Sequence, residues 1–91
     1  MKINVAMLSE EEKNILHNLG IMDECGDLKK SDFAEIQCFC HIHTDKDFLS
    51  FAALKEKGLI NYKETTKTFK NVTLTEKGFK MLKEIRISWK M

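Results

Sequence analysis

Proline is absent from the chain, which excludes rigid linkers and proline-rich ligand segments. The cysteines number three, so they cannot close a disulfide framework among themselves. Long apolar runs are missing as well. The longest near the start is Val5-Ala6-Met7-Leu8, followed by Glu10, Glu11 and Glu12. That is too short for a signal-peptide core or a membrane span, so a cytoplasmic protein with no membrane partner is expected. A net charge of +1 excludes a strongly basic nucleic-acid coat and an acidic tail. What is present is a folding composition: 43% hydrophobic and 32% charged residues. Ninety-one residues suit a single domain spanning 1–91.

The charge is divided along the chain. Residues 1–50 hold five lysines against ten acids, and residues 51–91 hold nine lysines and Arg86 against four acids. A polyanion, if one is bound, should meet the C-terminal half.

Local signals mark the elements. Ser9 with Glu12 three residues on is a capping box opening a first helix, with Ile15, Leu16 and Leu19 at helical spacing. Gly20 reads as its stop. Asp23 to Lys30 is polar and reads as a loop, with a short strand at Leu28 as an option. Ser31-Asp32 offers the cap of a second helix, whose buried face takes Phe33, Ile36 and Cys40 or Phe39. Thr44 or Asp45 caps a third, carrying Phe48, Phe51 and Leu54 and ending before Gly58. Leu59-Ile60-Asn61-Tyr62 and Val72-Thr73-Leu74 are β-prone runs around a polar tip, which predicts a hairpin over about 59–74. A last helix over about 75–90 places Phe79, Leu82, Ile85 and Trp89 on one stripe, the candidate dimerisation face.

Two segments carry a resemblance. Leu54-Lys55-Glu56-Lys57-Gly58-Leu59-Ile60 is followed, beyond the polar tip, by Val72-Thr73-Leu74-Thr75-Glu76-Lys77-Gly78. This resembles winged helix-turn-helix regulators of the MarR and PadR kind, across residues 9–89 or so. The fold implied is α+β: a three-helix core, a C-terminal β-hairpin wing and an additional C-terminal helix. Two departures stand out. The turn between the second and third helices is longer, with the extra residues near Cys40 to Thr44. Asp47 stands seven before Leu54, where such proteins carry an apolar residue, and Phe48 is the candidate to replace it.

The resemblance implies a transcriptional regulator that binds double-stranded DNA as a homodimer. Its third helix would enter the major groove and its wing would meet the backbone. Lys46 and Ser50 are then the candidates for bases. Lys55, Lys57, Lys63, Lys67 and Lys70 are the candidates for phosphates, with Thr65, Thr66 and Thr68 as further donors. If the wing strands alternate faces, Lys63, Lys67 and the other odd-numbered positions cannot all share the face of Lys70. Asp45 and Asp47 flank Lys46 and repel phosphate. They favour an alternative, a winged helix that binds a protein partner as an adaptor or inhibitor, phage-encoded in one version of that reading.

Cys38, Cys40, His41 and His43 place four potential ligands within six residues, with Cys25, His17 and Asp45 as further candidates. Thiolate with imidazole suits zinc, so a metal- or redox-responsive regulator is a second alternative. A C-x-C on a helix is also similar to the metal-sensing ArsR repressors. The main reading needs no cofactor. The chain has no G-x-S-x-G, no phosphate-binding glycine loop and no H-E-x-x-H, so no enzymatic activity is expected.

Overall fold

A computed structural model of the chain describes residues 5–28, 31–64 and 69–90. A 3₁₀ turn over Val5–Met7 leads to α1 (Glu10–Glu24), then α2 (Phe33–Phe39) and α3 (Asp45–Glu56). Strands β1 (Ile60–Glu64) and β2 (Phe69–Leu74) form an antiparallel hairpin, and α4 (Glu76–Lys90) follows.

Each helix start is a side chain satisfying backbone donors that have no partner inside the helix. Ser9 accepts from the Glu12 amide at 3.2 Å while the Glu12 carboxylate accepts from the Ser9 amide. Asp32 accepts from the Glu35 amide at 2.9 Å. Thr44 and Asp47 form a second capping box. That explains the missing apolar residue at 47: Asp47 is occupied in capping, and Phe48 packs partly buried against the core in its place.

The helix ends repeat one pattern. After α3, the Leu59 amide donates to Leu54 O at 3.0 Å and the Gly58 amide to Lys55 O at 2.9 Å, with Gly58 at φ +78°. This is a Schellman end, and it needs a left-handed residue. At the end of α2 the same bonds run from Ile42 to Gln37 O and from His41 to Cys38 O, with His41 at φ +56°. The longer turn is therefore a helix terminus followed by a new cap, with Ile42 buried between them.

Two expectations from local sequence are corrected. Gly20 does not stop α1, which runs four residues further. A Cβ on Gly20 would stand 2.3 Å from Leu82 Cδ2, so this glycine lets α4 pack closely against α1. Leu28 forms no strand; it is buried in the core.

The core joins all these pieces. Leu16, Leu19, Phe51, Leu54, Leu59 and Ile85 are at most 1% exposed. Each such side chain contributes about 1.5–3 kcal/mol by leaving water. Phe51 stacks on Tyr62, with centroids 5.0 Å apart. Ile36 of α2 and Cys40 at its C-terminal cap are buried, while Phe39 is exposed; the side chain of Phe33 lies outside what the structure describes.

The two resembling segments touch. Thr75 donates its hydroxyl to Gly58 O at 2.6 Å, accepts from the Gly78 amide at 3.0 Å, and donates its own amide to Leu59 O at 3.1 Å. A Cβ on Gly78 would stand 2.0 Å from Leu59 O. The glycines and threonine of the motif thus fasten the two ends of the hairpin to each other. Three helices, a β-hairpin wing and a C-terminal helix make this a winged helix-turn-helix architecture. Among the described residues, no helix is long and apolar enough to cross a membrane.

Candidate nucleic-acid interface

On α3 and at its C-terminal cap, each cation has a partner on a neighbouring element. Lys46 is exposed, yet its ammonium pairs with Glu11 of α1 at 3.1 Å. The Glu11 carboxyl is held below its ordinary value, first by backbone hydrogen bonding at the helix start and then by Lys46. Ser50 donates its hydroxyl to Lys46 O at 3.2 Å, a bond back along its own helix. Lys55 donates to Tyr62 O at 2.9 Å and lies 4.3 Å from the Tyr62 ring centroid. It fastens α3 to β1. Lys57 pairs with the buried Glu12 and also donates to Met7 O at 3.4 Å. The outward stripe of α3 is Asp45, Leu49, Ala52 and Glu56, with Leu49 71% exposed. Asp47 faces its cap, where Thr44 above all, with the backbone of His43 and Thr44, holds its carboxyl below the ordinary range.

The wing differs. Ile60 pairs with Leu74 and Asn61 with Thr73, but Lys63 pairs with Lys70. Between these pairs the single residue Tyr62 of β1 is matched by two on β2, Asn71 and Val72, so β2 carries a bulge, and Asn71 takes φ +56° within it. The extra residue overturns the simple alternation: it moves Lys70 onto the same face as Lys63. Directly opposed residues of an antiparallel pair share a face with Cβ atoms about 4.5–5.5 Å apart. Both lysines are exposed, and neither makes an ion pair among the described residues. Glu64 is also exposed next to Lys63. Lys67, with Thr65, Thr66 and Thr68, lies outside the described residues.

On α4 the expected stripe is divided. Leu82 and Ile85 are buried within the chain, together with Met81 and Gly78, whereas Phe79 and Trp89 are 40% and 42% exposed. Contact of Gly78 with Leu59 sets the rotation of the helix, so the inward face starts one residue before Phe79. Lys77, Lys80 and Lys83 are exposed. Arg86 pairs with Glu24 at 2.7 Å. His17 meets Trp89 edge-on, with centroids 4.9 Å apart, and its Nδ1 is buried without a hydrogen-bond partner among the described residues.

The thiol and imidazole groups do not converge. Cys40 is buried, and burial pushes its thiol up to about 12. Cys25 and Cys38 are exposed, and the His41 and His43 rings stand 6.4 Å apart. Among the described residues, no three of His, Cys, Asp and Glu come together to hold a metal ion. The zinc alternative for Cys38, Cys40, His41 and His43 therefore has no assembled ligand set.

Sequence reasoning placed Lys63 and Lys70 on the two wing strands but missed that they stand opposite each other. The sole signal of that pairing was Asn71, a residue type that tolerates the left-handed region. The structural duty of Lys55 gave no signal, because Tyr62 belongs to the next element. No protein-family model, no curated protein and no solved structure matches this chain, so what the geometry identifies is its architecture.

Proposed function

We propose that the chain is a small winged-helix regulator that binds double-stranded DNA, with the wing against the phosphate backbone. The observation that carries this reading is the opposed Lys63–Lys70 pair. Like charges placed directly across a strand pair repel. A bulge and a left-handed asparagine keep them together on an exposed face. A line of phosphates would relieve that repulsion. The excess of base in residues 51–91 supports the same face. A homodimer is part of the proposal, using the exposed Phe79, Ile87 and Trp89 of α4.

Fluorescence anisotropy with a labelled random duplex tests it. Binding in the range of about 10⁻⁴–10⁻⁶ M at physiological salt, weakening steeply as salt rises, is the expected result. The stoichiometry at saturation reports the dimer. No binding at low salt would remove the DNA reading. It would leave the second one, a protein-binding module, which the outward stripe Asp45, Leu49, Ala52 and Glu56 favours.

A further inference from the structure

A winged helix has two surfaces to offer a duplex, and on this chain they are unequal. An inserted helix lies between two walls of phosphate and gains from cations along its flanks. The flanking cations of α3 are engaged: Lys46 by Glu11, Lys55 by the Tyr62 carbonyl and ring, and Lys57 by Glu12. The outward stripe ends in a carboxylate on each side, Asp45 at one end and Glu56 at the other. Both would face phosphate on insertion. One carboxylate can accept from a cytosine amino group, but the rest of the stripe, Leu49 and Ala52, offers no hydrogen bond to a base. Among the described residues, the wing presents two ammonium groups without an ion pair, on one face.

We infer that the wing leads the contact with duplex DNA, gripping the sugar-phosphate backbone independently of base sequence, while α3 stays outside the major groove. This rests on the DNA-binding reading above. It reverses the division of labour expected from the family resemblance, in which the third helix reads bases. Phosphate contacts position a protein without carrying sequence information, so a wing-led contact is general rather than operator-specific.

The experiment compares the full chain with two variants on the same labelled random duplex between about 50 and 200 mM salt, the range over which phosphate contacts are resolved. Lys63→Ala with Lys70→Ala removes two contacts and should flatten the salt slope by about 1.8, making the loss of affinity over that range about tenfold smaller. Leu49→Glu places a third carboxylate on the α3 stripe and should stay within about threefold of the parent, because α3 does not approach phosphate. Lys63→Gln with Lys70→Gln repeats the first arm should the alanine pair lose its fold by circular dichroism. A loss of tenfold or more for Leu49→Glu would put α3 in the groove and overturn the inference. An unchanged slope for the lysine variants would overturn it too. Failure of the parent chain to bind at low salt is a different result, and overturns the DNA reading itself.

Discussion

Gly58 and His41 occupy equivalent places at the ends of α3 and α2, and they make a direct comparison of the same backbone conformation with and without a side chain. A left-handed residue with a Cβ costs roughly 1–2 kcal/mol, partly offset because a glycine loses more freedom on folding. A Cβ on Gly58 would meet nothing within 4 Å, so the cost of Gly58→Ala is conformational alone. Urea denaturation should show Gly58→Ala losing about 1 kcal/mol and His41→Gly gaining up to about 1 kcal/mol, with unchanged m-values. A loss of several kcal/mol for Gly58→Ala would mean that the turn has a packing role as well. Such termini were legible beforehand at Gly58, because glycine announces a left-handed position. His41 gave no comparable signal, and neither did Gly20. A glycine inside a helix reads locally as a stop, and its reason for being there, Leu82, lies on another helix.

At the scale of the element, the wing is held to α3 by aromatic stacking and by one lysine. Phe51 is 1% exposed and stacks on Tyr62, while Lys55 bonds the Tyr62 carbonyl. Removing the ring leaves a cavity between α3 and β1, so Phe51→Ala should destabilise by roughly 3–5 kcal/mol in thermal or urea unfolding. A loss under about 1 kcal/mol would mean that the pocket collapses or that Phe51 is not at the joint. The element boundaries themselves were largely visible in the sequence. Ser9, Asp32 and Thr44 start helices where their residue types and the following acids place them. The rotation of α4 was not visible, because Phe79 and Met81 are equally apolar. Contact between Gly78 and Leu59 O decides which of them faces inward.

At the scale of the molecule, α1 and α4 meet near a histidine whose state depends on pH. Burial, and then the Arg86 guanidinium, hold His17 below its ordinary value of 6.5, while Glu24 opposes them. A histidine with a lowered folded-state value binds its proton more readily when unfolded. Its contribution to stability is therefore complete above the ordinary value and is lost as pH falls from there through the folded-state value. Glu11 and Asp47 are lowered from 4.5 and 3.8, so their effects lie at more acid pH. Unfolding midpoints should decline as pH falls below about 6.5, and His17→Gln should flatten that decline. Trp89, the single tryptophan, touches the ring and makes its fluorescence a local reporter. Equal pH dependence in the variant would assign the decline to other groups.

The sequence by itself determined what depends on neighbours within about five residues. Helix caps, the glycine terminus, the two wing strands and the division of charge between the halves all follow from short-range hydrogen bonding and composition. Tertiary structure alone decided which cations remain available. Lys46, Lys55 and Lys57 look as free in sequence as Lys63 and Lys70, but Glu11, Tyr62 and Glu12 reach them only once α1, α3 and β1 have packed. The bulge that unites the wing lysines is likewise a property of strand register, set by burying Tyr62, Val72 and Leu74 on one face. Charge availability and register are relations between elements, and no single stretch of the chain contains them.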